Sequence, residues 1–259
     1  MTPTEKLAAL AGRLPARCLW VGLPSGTTAE IAGTAGAEIA VIDTEHGTID
    51  TACMAEMLRA LAPSGTGTLV RVAELSEGRI KHALDAGAGG ILVPYVESVA
   101  EAERAVRAAL YAPQGARGQA AAVVRATGFG RDAGYVAGWN ARAIVAVQIE
   151  SHKGLRHAAE IAAVEGVDML FFGPYDYAQD AGLDPATDGA VLAEVFGQIV
   201  AAARAAGKTV GVFPWPGVTP AGLAAAGADL ITVASDVVTL AAGLRAAVQA
   251  IELSISDVS

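Results

Sequence analysis

Eight short apolar runs alternate with alanine-rich stretches of helical spacing, and this alternation constrains the fold more than any other feature of the chain. The runs occupy 18–23, 38–43, 68–72, 90–93, 143–149, 168–172, 209–213 and 229–233. Helical spacing is read at 49–61, 77–85, 99–110, 154–163, 190–206 and 221–226. Glycine stops precede several runs, as in A-G-A-E at 35–38, A-G-A-G-G at 86–90, E-G-V-D at 165–168 and A-G-A-D at 226–229. A glycine just past a helix end, followed by a strand, is the expected chemistry of an αβ loop. Runs that are continuously apolar indicate a parallel sheet buried on both faces. Eight such units in 259 residues predict an α/β protein with a TIM (β/α)8 barrel spanning 1–259 as a single domain. A doubly wound open sheet fits less well, because V-G-L-P-S-G-T-T at 21–28 lacks the spacing of a dinucleotide-binding turn. The opening M-T-P-T-E-K-L-A-A-L-A-G-R-L-P reads as a short amphipathic helix, with Glu5, Lys6 and Arg13 around its apolar residues. Residues 111–142, with Y-A-P-Q-G-A-R-G and R-A-T-G-F-G-R-D, are too long for a plain crossover in the fourth unit, which suggests a functional segment.

The net charge of −9 argues against nucleic-acid or anionic-membrane partners, because the field repels phosphate. Cys18 and Cys53 form no C-x-x-C pair, so neither a disulfide framework nor a zinc site is expected, and a reducing cytoplasm is the default. No apolar run approaches the roughly 18–20 residues that span a bilayer. The expectation is a soluble cytoplasmic protein.

A barrel carries its chemistry at the C-terminal ends of its strands. Those ends offer Asp43, Glu45 and His46 after the second run, Arg71 after the third and Glu97 after the fourth. They continue with Gln148 and Glu150 after the fifth and Asp176 after the sixth. Neither serine nor cysteine stands beside a base as a nucleophile. Alone, each acid reads as a salt bridge or helix cap. Glu150 and Asp176 on neighbouring strand ends suit a hard cation such as Mg²⁺ or Mn²⁺, with positions open for the carboxylate and keto oxygens of a 2-oxo acid. His46 reads either as a buried core imidazole or as a general base, with Asp43 three residues earlier fixing its tautomer. Arg71 presents a donor fork to an enolate oxygen or a carboxylate; the alternative is a rim salt bridge. Of the lysines, Lys6, Lys81 and Lys208 lie away from the catalytic face, and Lys153 sits in an S-H-K-G helix start, so imine chemistry is disfavoured.

I-D-T-E-H-G at 42–47, L-D-A-G-A-G-G-I-L-V-P-Y-V at 84–96, Y-A-P-Q-G-A-R-G at 111–118, Q-I-E-S at 148–151 and F-F-G-P-Y-D at 171–176 resemble the HpcH/HpaI family of class II pyruvate aldolases. The resemblance implies a barrel assembled as a homo-oligomer, usually a hexamer built as a trimer of dimers. It implies a divalent metal (Mg²⁺, Mn²⁺ or Co²⁺) on Glu150 and Asp176, and proton transfer by His46 with Asp43. Arg71 would steady the enolate oxygen, with Gln148, Gly173, Pro174 and Tyr175 around the substrate and Asp85 as a further acid near the site. The implied reaction cleaves 4-hydroxy-2-oxo acids to pyruvate and an aldehyde through a metal-stabilised enolate. Glu45 remains without a role.

The chain departs from the family pattern at Gly89, at Tyr175 and Tyr177 around Asp176, in Y-A-P, and in F-P-W-P-G at 213–217. These positions bear on the acceptor aldehyde. Two other outcomes share or abandon the chemistry: the same enolate could serve oxaloacetate decarboxylation or condensation with a thioester, or the barrel could be non-catalytic. The last would be marked by loss of Glu150, Asp176, Arg71 or His46, and all four are present.

Overall fold

The computed structural model describes residues 1–256. Its first half runs α1 Pro3–Ala11, β1 Ala16–Val21, α2 Gly26–Thr34, β2 Ile39–Asp43, α3 Thr51–Leu61, β3 Gly67–Arg71, α4 Glu77–Asp85, β4 Gly90–Val93 and α5 Val99–Ala109. It continues with α6 Tyr135–Arg142, β5 Ile144–Ile149, α7 His152–Arg156, α8 Ala158–Ala163, β6 Met169–Phe172 and α9 Pro174–Ala181. The last elements are α10 Gly189–Ala205, β7 Thr209–Val212, α11 Pro220–Ala225, β8 Leu230–Ser235 and α12 Asp236–Ser256. The eight strands pair in sequence order and β8 closes on β1, all parallel, which is the predicted (β/α)8 barrel.

Side chains alternate along each strand between two apolar layers. Trp20, Val41, Leu69, Leu92, Ala146, Met169 and Phe171 fill the barrel interior, while Ile42, Val70, Ile91, Val147 and Phe172 pack outward against the helices. Both sets are buried, which is why the strands read as unbroken apolar runs. Helix α1 plugs the N-terminal end with Leu7, and its Lys6 ammonium lies 2.9 Å from the Asp168 carboxylate. Register then sets the height of the polar residues at the other end: Asp43 pairs with Arg71, and Gln148 with Phe171.

Three expectations need correction. The stretch 154–163 is not one helix: α7 ends at His157, whose ring Nδ1 sits 3.0 Å from the Lys153 carbonyl and competes with its own backbone N–H for it. Residues 111–142 join α5 to β5, so they lie at the N-terminal rim, away from the strand ends that carry Glu150 and Arg71. The segment is anchored there by Arg117, whose side chain is fully buried between the rings of Tyr111 and Trp139, at 4.7 and 4.8 Å. Asp85 closes α4 on that same rim and pairs with Arg117 at 2.6 Å. A helix that follows a barrel strand runs back towards the N-terminal face, so within one chain Asp85 is not near His46.

Among the described residues, no helix is long and apolar enough to cross a membrane.

Candidate active site

The turn after β2 is built around Asp43. One carboxylate oxygen, Oδ1, accepts the backbone N–H groups of Glu45 and His46, at 3.0 and 3.3 Å. Gly47 completes the turn because a Cβ there would strike the Asp43 and Gly22 carbonyls. Arg71, its register partner, donates Nε to Oδ1 at 2.9 Å and Nη2 to Oδ2 at 2.7 Å. The Trp20 indole N–H is the second donor side chain, to Oδ2 at 3.1 Å, and the guanidinium lies 4.7 Å from the Trp20 ring centroid. Burial alone would push the Asp43 carboxyl up, but the Arg71 fork and charge hold it below the usual carboxylate range.

This arrangement corrects the role expected of Asp43. Its oxygens are taken by Arg71, Trp20 and the turn backbone, so it meets His46 only through the main chain. The acid beside the His46 ring is Glu45, with Oε1 at 3.8 Å from Nε2. The other Glu45 oxygen lies 2.9 Å from Arg71 Nη1. Glu45 therefore links the imidazole to the guanidinium, and burial raises its carboxyl against the pull of Arg71.

The second half of the site comes from β4, β5 and β6. Glu150 is almost fully buried; its Oε1 accepts the Tyr95 backbone N–H at 2.8 Å and its Oε2 the Gln148 side-chain amide at 2.6 Å. Gly173 allows this packing, since a Cβ there would collide with the Glu150 carboxylate. Burial, with Asp176 and Glu45 nearby, pushes Glu150 up to about 8. A carboxyl so placed is short of positive charge. Asp176 stands in the first turn of α9 and accepts the Tyr95 hydroxyl at Oδ1, 3.0 Å away. Pro174 opens that helix, and no side chain caps it, so the N–H groups of Tyr175 and Asp176 head it without intrahelical partners.

A cavity of about 270 Å³ joins the two halves. His46, Arg71, Gln148 and Asp176 form its polar side; Trp20, Phe171, Tyr175 and Phe213 form an aromatic wall. A cavity of about 330 Å³ between α3 and α4 includes neither Glu150 nor Asp176. Trp20 and Tyr95 were not anticipated, whereas Phe213 opens the F-P-W-P-G stretch singled out at 213–217. Of the residues singled out around the pocket, Tyr175 lines it, whereas Tyr177 and Trp215 pack against Phe172 behind it. Lys153 pairs with Glu97 at 3.1 Å and does not line the cavity.

Among the described residues, no group of three or more His, Cys, Asp or Glu is arranged to hold a metal. The donor set nevertheless fits a hard cation. Two carboxylates are brought together by one tyrosine, one of them buried and electrostatically starved, and the Gln148 side-chain oxygen is buried without a partner. Oxygen donors with places left for water and substrate are what Mg²⁺ or Mn²⁺ requires.

A closed barrel that sets an arginine fork, an imidazole and a carboxylate on one cavity, with a second carboxylate bonded to its lining, defines an enzyme for a small, oxygen-rich anion. A sequence model of the HpcH/HpaI aldolase/citrate lyase family matches residues 17–242, and the chain belongs to that family. It is similar to a hydroxypyruvate/pyruvate aldolase of Agrobacterium fabrum, with 39% identity over 93% of this chain and 90% of that one. A 4-hydroxy-2-oxo-heptane-1,7-dioate aldolase of Shigella sonnei is 35% identical over 82% of this chain and 80% of its own length. Among solved structures, an HpcH/HpaI aldolase/citrate lyase family protein from Burkholderia cenocepacia superposes with a TM-score of 0.87. It is 36% identical, and the match covers 97% of this chain and all of that one. The chain is accordingly an enzyme of the lyase type.

Proposed function

We propose that the chain is a divalent-metal-dependent aldolase that cleaves 4-hydroxy-2-oxo acids to pyruvate and an aldehyde. The observation that carries this reading is the placing of Arg71 and Asp176 on one cavity, with Glu150 hydrogen-bonded directly to its lining residue Gln148. A cation such as Mg²⁺, Mn²⁺ or Co²⁺ on Glu150 and Asp176 would supply Lewis-acid polarisation of the 2-oxo group. The open N–H groups of Tyr175 and Asp176 receive the substrate carboxylate, as helix N-termini do. Asp43 and Glu45 engage part of the five-donor guanidinium of Arg71, and its remaining N–H groups meet the enolate oxygen as charge develops there. His46, with the Glu45 carboxylate beside its ring, accepts the C4 hydroxyl proton, and the C3–C4 bond breaks. The aromatic wall keeps bulk water from the enolate until a proton is returned to C3.

The direct test is release of pyruvate from 4-hydroxy-2-oxo acids. Pyruvate formed only from oxaloacetate would move the reading to decarboxylation. In the same assay His46→Ala should slow cleavage by about 100-fold, the usual scale of general acid–base catalysis; an undiminished rate would remove His46 from the chemistry.

We further propose a cytoplasmic homo-oligomer, a hexamer built as a trimer of dimers. The support is α12. Asp236 ties its first turn to the Gly22 and Leu23 N–H groups, yet from Val237 to Ala250 every residue except Ala241 is exposed. Val238, Leu240, Leu244 and Val248 are each more than half exposed, and the β8 outer face leaves Val233 uncovered. A second copy that offers the same helix and the same bare strand fits both surfaces at once. Light scattering on Leu244→Glu/Val248→Glu should then report dissociation to smaller species; an unchanged mass would rule out this helix as the contact.

A further inference from the structure

Tyr95 is one of two non-glycine residues described with a positive φ, at 49°. A bulky side chain avoids this left-handed region, so holding one there strains the backbone. It lies two residues beyond β4, after Pro94, and its ring is about half exposed, so packing does little to offset that strain. What the conformation achieves is a pair of hydrogen bonds. The backbone N–H reaches Glu150 Oε1 at 2.8 Å while the phenol donates to Asp176 Oδ1 at 3.0 Å. A single residue thus touches both carboxylates, from opposite ends of itself.

We propose that Tyr95 is a positioning residue for the divalent cation, presetting the carboxylates of Glu150 and Asp176 to receive it. This rests on the reading of those two acids as the cation's ligands. A hydrogen bond to one oxygen fixes the plane of a carboxylate and occupies one of its lone pairs. The ion then meets donors already oriented, and does not have to order two rotating acids. Glu150 is locked a second time by Gln148, whereas for Asp176 the Tyr95 phenol is the side-chain donor the structure supplies. The larger effect is therefore expected through Asp176.

Tyr95→Phe removes one partly exposed oxygen and keeps both the backbone N–H and the ring. The EDTA-treated variant should retain the wild-type thermal midpoint. Mn²⁺ titrated calorimetrically into both proteins should bind the variant about 10–100-fold more weakly, the range seen when partners of metal ligands are removed. At saturating Mn²⁺ the kcat for pyruvate release should return close to wild type, so the defect appears in metal affinity and not in turnover. Equal Mn²⁺ affinities would overturn the proposal, as would a loss of kcat that saturating Mn²⁺ fails to repair. Absence of Mn²⁺ binding by the wild type is a separate outcome, which would refute the ligand assignment itself and the proposal with it.

Discussion

Glu150→Ala should abolish both Mn²⁺ binding and cleavage of 4-hydroxy-2-oxo acids, leaving only background release of pyruvate. The carboxyl is buried, with Tyr95 and Gln148 hydrogen-bonding to it. Glu150→Gln separates the loss of charge from the loss of volume and has a signature of its own. In the metal-free protein, burial raises Glu150 from 4.5 to about 8. Between those values the folded state keeps a proton that the unfolded chain has lost, so stability falls as pH rises through the window. The amide does not titrate. EDTA-treated Glu150→Gln should therefore gain in thermal midpoint over wild type at pH 8 relative to pH 5, while remaining inactive. An equal difference at both pH values would show that the carboxyl is not held in a charge-starved pocket.

Arg71→Lys should lower kcat by about 10²–10³-fold, the loss found when one donor to a developing oxyanion is removed. Lysine keeps the charge but not the fork. It cannot grip both Asp43 oxygens, reach Glu45 and stack on Trp20 while still offering N–H groups to substrate. Asp43 retains the Trp20 N–H and the turn amides, so the barrel should fold with reduced stability. Activity within tenfold of wild type would leave Arg71 as the anchor of a buried acid and nothing more.

The barrel was legible because eight runs buried on both faces have no polar alternation to confuse them, and because those runs end in charge where the chemistry sits. The contacts among the site residues were not legible, since register between strands is written nowhere in the local sequence. Asp43 stands three residues before His46, and that proximity suggested an orienting pair. In the folded turn the same spacing gives backbone capping, and Asp43 spends its oxygens on Arg71 instead. Glu45, nearer still in sequence, is the acid that reaches the ring.

Other misplacements follow from helix geometry. Read as part of a helix from Pro174, Asp176 facing the cavity places Tyr177 about 100° around, against Phe172 and the core. Asp85 ends a helix, and a helix after a barrel strand ends at the far rim; the resemblance had drawn it towards the site. Tyr95 had no sequence signal beyond its position past β4, because its importance depends on a positive φ.

In the proposed reaction a metal, and no lysine, carries the electrophilic work. Pyruvate release from a 4-hydroxy-2-oxo acid should cease after EDTA treatment and return on addition of Mn²⁺ or Mg²⁺. Activity that survives EDTA, together with borohydride trapping of substrate on Lys153, would contradict it.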